Sequence, residues 1–139
     1  MTDIATARPL NFERWGYKQF PLAVTNIAYK GTLAALDLST GKCEPGHVEA
    51  DLLTLGTFDE TVDATSEEKL VNVRLSREIE VAWFANSTGT PITAIGGLCY
   101  LEDNQTVTGD PTGASVAGRV WAVDAVKGVA VELAAALNQ

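Results

Sequence analysis

Histidine is nearly absent from this 139-residue chain, which contains a single imidazole, that of His47. A catalytic zinc site draws on two or three imidazoles, and a serine or cysteine nucleophile needs a base beside it. Nucleotide-binding glycine loops are missing as well, since the string GASVAGRV places Arg119 and Val120 where a phosphate-binding loop needs lysine and a hydroxyl. We therefore expect no enzymatic activity, no cofactor and no bound metal.

A chemical role can still be formulated for His47, the single histidine. It follows a Pro-Gly turn and is flanked by three carboxylates, those of Glu44, Glu49 and Asp51. One interpretation is a base tuned by carboxylates, or a weak metal site. The simpler interpretation, which the sequence alone favours, is a solvated histidine in a loop.

Positive charge and long apolar runs are also scarce. The chain has 10 basic and 18 acidic side chains, a net charge of -8 and a pI near 4.5. Such a surface repels the phosphate backbone, so nucleic acid is not an expected partner. No stretch reaches the about 18 apolar residues of a membrane helix, and the charged start of the chain does not resemble a signal peptide. We expect no membrane association and synthesis in the cytoplasm.

Cysteine is limited to Cys43 and Cys99, which lie in separate patterned segments without a C-x-x-C pair. Free cysteine is often buried as a small apolar residue. We expect that role for both residues rather than a disulfide.

The first thirty residues differ from the rest of the chain in charge and aromatic content. They carry a net charge of +2, against -10 for the remainder, and hold five of the ten aromatic residues without a clean periodic pattern. We predict an N-terminal arm over residues 1–30 and a domain over residues 31–139. Aromatic and arginine side chains are typical of interface centres, so the arm either packs on its own domain as an extra strand or docks onto another chain. The candidate interface residues are Phe12, Arg14, Trp15, Tyr17, Lys18 and Phe20.

From residue 31 onward, short alternating apolar runs separated by turn residues predict β-strands. The run at 51–58 has leucine at both parities, which suggests that both of its faces are partly covered. In LVNVRLSREIEVAWF, Val71, Val73 and Trp83 share the inward parity, and a break is expected near residues 76–78. Trp121 also lies in a patterned strand, so we expect both tryptophans in the core or in an interface.

Seven to nine such strands, spaced by roughly 8 to 12 residues, predict an all-β fold. Turn signals include STGK and a hairpin about Lys127 and Gly128. The predicted architecture is a compact β-sandwich or jelly-roll-like barrel with an extended N-terminal arm.

Several turn and strand motifs occur in a fixed order between about residues 29 and 133. They are AYKGTLAALDLSTGKCEPG, LLTLGTFDETVD, VNVRLSREIEVAWFANSTGTPIT, LCYLEDNQTVT and AGRVWAVDAVKGVAVEL. In this order they resemble the small decoration, or cement, proteins of tailed-bacteriophage heads.

The resemblance implies a virion structural protein without enzymatic activity. Such a protein binds the outer face of an assembled icosahedral shell of the HK97 type, bridges neighbouring major capsid proteins and stabilises the shell. Its partners would be the major capsid protein and further copies of this chain, as a dimer or trimer, because β-domains must protect their edges. Residues 1–28 lie outside the resemblance, so the expectation that the arm binds the capsid rests on the amino-acid composition of the arm.

Two alternatives remain open. One is another virion β-module, such as a tail or head-fibre component, because fold does not fix function. The other is a carbohydrate-binding β-sandwich, which would need Trp15, Trp83 or Trp121 exposed as a stacking platform.

Overall fold

The chain forms two closed barrels of five β-strands each in the computed structural model, which describes residues 16–77 and 80–138. In chain order the strands are β1 (Tyr17–Leu22), β2 (Ile27–Ala28), β3 (Leu33–Asp37), β4 (Lys42–Pro45), β5 (Leu52–Phe58), β6 (Val62–Asp63), β7 (Lys69–Leu75), β8 (Ala82–Asn86), β9 (Leu98–Leu101), β10 (Thr106–Thr108), β11 (Val116–Asp124) and β12 (Gly128–Glu132). A 3-10 helix, Leu133–Asn138, follows β12. The all-β prediction is confirmed.

The first barrel has the strand order β1-β4-β3-β5-β7, and β2 and β6 form a small separate sheet. Strand β1 closes this barrel: it runs antiparallel to β7, from Tyr17 beside Arg74 to Leu22 beside Lys69, and meets β4 in parallel. Residues 17–22 of the predicted arm are therefore a strand of the barrel. Residues 1–15 lie outside the described residues.

The second barrel has the order β10-β8-β12-β11-β9. Its core takes residues from the first barrel, because Leu33 and Ala35 of β3 and Leu52 of β5 pack into it. The intervening residues of the same strands, such as Ala34 and Leu55, pack into the first core instead. Leucines on the two faces of β5 thus pack into different cores, which agrees with the prediction that both faces of this strand are covered.

Hydrogen bonds join the two barrels at this contact. The Thr54 hydroxyl donates to the carbonyl of Val116 over 2.8 Å, and the Leu33 amide donates to the carbonyl of Asn104, also over 2.8 Å. Ser115 accepts a bond from the Leu52 amide at 3.0 Å. The buried polar groups of β3 and β5 are in this way satisfied by the neighbouring barrel.

The expected inward position of Trp83 is wrong. The indole is 42% exposed, whereas the next residue, Phe84, is 6% exposed and lies in the second core. Strands β7 and β8 belong to different barrels, so the inward parity set by Val71 and Val73 is not continued after the break. Trp121 is 51% exposed at a bulge in β11, so of the two predicted positions, core or interface, the core is excluded and an interface stays a prediction.

The two cysteines lie in separate cores, Cys43 in the first barrel and Cys99 in the second. Both are free and inaccessible to solvent, as expected. Burial disfavours the thiolate and raises the pKa of each thiol to about 12. Each cysteine is therefore a packing residue rather than a reactive one.

The β11–β12 hairpin gives a direct test of the packing. Gly128 has φ 97°, and a Cβ atom there would lie 2.1 Å from the carbonyl oxygen of Phe84. We expect Gly128→Ala to lower the free energy of unfolding by about 3 kcal/mol or more, since backbone strain and overpacking add. Urea denaturation measures the change.

Gly41 provides the matched control. Its φ is 73°, but nothing lies within 4 Å of an added Cβ. Gly41→Ala should therefore show the backbone strain alone, about 1 to 2 kcal/mol. Equal losses in the two variants would contradict the close packing of β12 on β8.

Candidate functional site

Glu44, His47 and Glu49 come together at the loop that leaves the first barrel between β4 and β5. Their potential ligand atoms all lie within 4.8 Å of one another. Nε2 of His47 is 2.8 Å from Oε2 of Glu49 and 3.5 Å from Oε1 of Glu44. Of the three carboxylates that flank His47 in the sequence, Asp51 is not part of this cluster, which we call the Glu-His-Glu cluster.

The loop geometry fixes the imidazole. Nδ1 of His47 lies 3.0 Å from the carbonyl oxygen of Pro45, which can only accept a hydrogen bond. Nδ1 therefore donates, and Nε2 faces the two carboxylates. The imidazole and Glu49 are each about half exposed, whereas the side chain of Glu44 is 13% exposed.

Burial and neighbouring acids shift the protonation of the cluster. The pKa of Glu44 is raised to about 7, first because burial disfavours its charge and then because Glu49 shares a hydrogen bond with it. Asp37 adds repulsion, and His47 opposes the shift. The pKa of His47 is also raised, since the Pro45 carbonyl and both glutamates together outweigh its desolvation. The cluster holds protons more tightly than its separate groups would.

The predicted interface residues have different environments. Phe12, Arg14 and Trp15 lie outside the described residues. Tyr17 is 58% exposed on the outer face of β1, whereas Phe20 belongs to the core of the first barrel. Lys18 is half-buried with Nζ 4.4 Å from the centroid of the Phe20 ring. Their common role in an interface stays a prediction, and within the described part of the set Tyr17 presents the largest surface.

Two further surfaces carry exposed tryptophans. Trp121 lies beside Ile95, which is 66% exposed, and beside Arg119, whose guanidinium donates to the carbonyl of Gly96. Trp83 borders a cleft of about 580 Å³, with Nζ of Lys127 5.4 Å from its ring centroid. Sequence patterning left open whether these indoles lie in the core or in an interface, so it did not locate either surface.

Comparison of the chain with family models, with curated proteins and with solved structures gives no match in any of the three. Along the described residues, no helical segment has the length and apolar character needed to cross a bilayer.

The Glu-His-Glu cluster predicts a pH dependence of stability. Glu44 has a native pKa above its ordinary value of 4.5, so the native state keeps a proton that the unfolded state releases. Stability falls as the pH rises through this window, and loss of the His47 proton at higher pH acts in the same direction. With EDTA present, we expect the free energy of unfolding to fall between pH 5 and pH 8, by on the order of 2 kcal/mol.

Urea denaturation at several pH values measures this slope. Glu44→Gln should flatten it, whereas Glu67→Gln, which removes an exposed acid away from the cluster, should retain it. A slope of the same size in wild type and Glu44→Gln would contradict the assignment.

Proposed function

We propose that this protein is a capsid decoration protein of a tailed bacteriophage, which binds the outside of the assembled shell and cements neighbouring major capsid proteins. The observation that carries the proposal is the ordered series of motifs between about residues 29 and 133. These motifs fall on consecutive strands: the first spans β3 and β4, and the last is the β11–β12 hairpin. The likeness therefore follows the framework of both barrels rather than a single turn.

A surface suited to such contacts lies on the outer face of β1 and β7. Tyr17 and Leu70 are each 58% exposed there, and Pro21 pairs with Leu70 across the two strands. Tyr17 and Pro21 of this face belong to the predicted arm, residues 1–30. Exposed aromatic and aliphatic side chains on a rigid sheet bury apolar area at little entropic cost on binding.

Stabilisation of the shell would follow from mass action. A protein that binds only the assembled lattice stabilises that lattice by its binding free energy at every occupied site. Because a shell offers many symmetric sites, modest contacts by each copy suffice. No reacting groups are required.

We predict that shells decorated with this protein release their DNA at a higher temperature than undecorated shells.

The double variant Tyr17→Ser/Leu70→Ser should bind assembled shells at least about ten-fold more weakly, because it removes apolar contact area. Val126→Ser, at a residue 93% exposed on the second barrel, is the control and should bind like wild type. Cosedimentation with shells measures binding, and dye-detected DNA release measures robustness.

Deletion of residues 1–15 separately tests the arm, since it leaves β1 intact. Longer deletions would remove strand residues that pair with β7.

Equal DNA-release profiles with and without the protein would contradict the cement function.

A second candidate function, carbohydrate binding, is favoured by the exposure of Trp83 beside a cleft. The cleft is also lined by Gln105, an exposed polar residue. Indole fluorescence that responds saturably to oligosaccharides in wild type and in Trp121→Phe, but not in Trp83→Phe, would favour this function over the first.

A further inference from the structure

The Glu-His-Glu cluster has the composition and geometry of a metal site. We propose that Glu44, His47 and Glu49 bind a divalent transition-metal cation of the zinc class, which clamps the loop between β4 and β5. This proposal departs from the expectation of a solvated histidine, and it does not depend on the capsid function.

The orientation of the His47 imidazole favours metal binding. Because Nδ1 of His47 donates to the Pro45 carbonyl, the lone pair of Nε2 in the neutral ring is directed at the two carboxylates. Metal-binding histidines characteristically donate their second ring N–H to a carbonyl or carboxylate, which fixes the tautomer and the ring plane. The outer partner of the proposed ligand is thus already in position.

One carboxylate oxygen of the cluster has no hydrogen-bond partner. Oε1 of Glu44 is inaccessible to solvent and accepts no hydrogen bond from the described residues, although the Glu44 carboxyl group as a whole shares a hydrogen bond with Glu49. Oε1 is also the oxygen that faces Nε2 of His47, at 3.5 Å. A buried oxygen without a partner is costly, and a cation between the three groups would remove that cost.

The spacing of the three groups is close to that of zinc ligands. Ligands about 2.0 to 2.2 Å from a tetrahedral zinc ion lie about 3.3 to 3.6 Å from one another. The distance of 3.5 Å from Nε2 of His47 to Oε1 of Glu44 lies in that range, whereas the distance of 2.8 Å to Oε2 of Glu49 is shorter and must lengthen when a metal binds. Glu49 is half exposed and on a loop, so a small side-chain rotation completes the set.

The donor atoms select the class of cation. One imidazole nitrogen with two carboxylate oxygens suits zinc and its first-row neighbours. Calcium takes six to eight oxygen ligands, and magnesium prefers oxygen with several retained waters. The net negative charge of the two glutamates balances a divalent ion.

The position of the cluster defines what the metal would do. Glu44 belongs to β4 of the first barrel, whereas the carbonyl of Glu49 accepts a hydrogen bond from Ser115, next to β11 of the second barrel. Between them, a Cβ at Gly46 would lie 3.2 Å from both Leu33 and Leu101, so the loop crosses the contact between the barrels. A cation bound to both glutamates would tie the first barrel to the loop segment that the second barrel holds.

Metal binding to the full-length, tag-free protein tests the proposal. After dialysis against EDTA and then buffer, isothermal titration with Zn²⁺ should give one equivalent of binding and should raise the melting temperature. Co²⁺ should give the visible absorption bands of a nitrogen- and oxygen-ligated ion. Ca²⁺ at the same concentration should leave the melting temperature unchanged.

Variants assign the site. His47→Ala and Glu44→Gln should each weaken Zn²⁺ binding by about ten-fold or more, since even outer partners of a metal contribute that much. Glu67→Gln removes the same charge from an exposed position and should bind Zn²⁺ like wild type. Circular dichroism of the metal-free variants checks that the barrels remain folded.

Three results would overturn the proposal: no Zn²⁺-dependent shift in melting temperature, equal Zn²⁺ affinity in His47→Ala and Glu67→Gln, or a preference for Ca²⁺ over Zn²⁺. Unchanged shell binding in the Tyr17→Ser/Leu70→Ser variant would count against the capsid function alone, so the two proposals fail separately.

Discussion

Two neighbouring strands, β3 and β5, have apolar side chains on both faces and therefore must be covered on both sides. Leu33 and Leu52 fill the second core, and Leu55 and Phe58 fill the first. Burial of each large side chain contributes about 1.5 to 3 kcal/mol, so neither barrel retains its full stability without the other. The double-barrel arrangement, the loops at its junction and the surfaces it presents all depend on this shared pair of strands.

The same constraint positions the Glu-His-Glu cluster. The chain must leave β4 at Pro45, cross the junction and return as β5, and Gly46 fits because side chains from both barrels converge there. His47 and Glu49 then lie on the crossing itself, with Glu44 at its start. Because the three potential ligands lie along this crossing, their spacing depends on the relative position of the two barrels. A bound metal would therefore affect the stability of both barrels.

Local patterning predicts much of this fold. Alternation and turn residues indicate the β class, the hairpins at Gly41 and Gly128 and the two-sided burial of β5, because each depends on neighbours in sequence. The division into two barrels depends on pairings between distant strands, which period-2 patterning does not encode. The error at Trp83 has this origin: parity extrapolated from Val73 cannot register that the next strand faces another core.

The sequence shows which residue types surround His47, but it does not show which of the three carboxylates join the cluster. Three carboxylates flank His47 in the sequence, yet only the fold separates Glu44 and Glu49, which join the cluster, from Asp51, which does not. In the arm, composition indicates aromatic interface residues, but long-range pairing of β1 with β7 places Phe20 in the core. Each difference reflects a contact between segments far apart in the chain.

If β3 and β5 make the two barrels one cooperative unit, the two barrels open together. Native-state amide hydrogen exchange measures this most directly, by comparing Val71 in the first barrel with Val129 in the second. We expect the same free energy of opening at both amides, equal to that of global unfolding. A distinctly lower free energy of opening at the amide of one barrel than at that of the other would show that the barrels open independently.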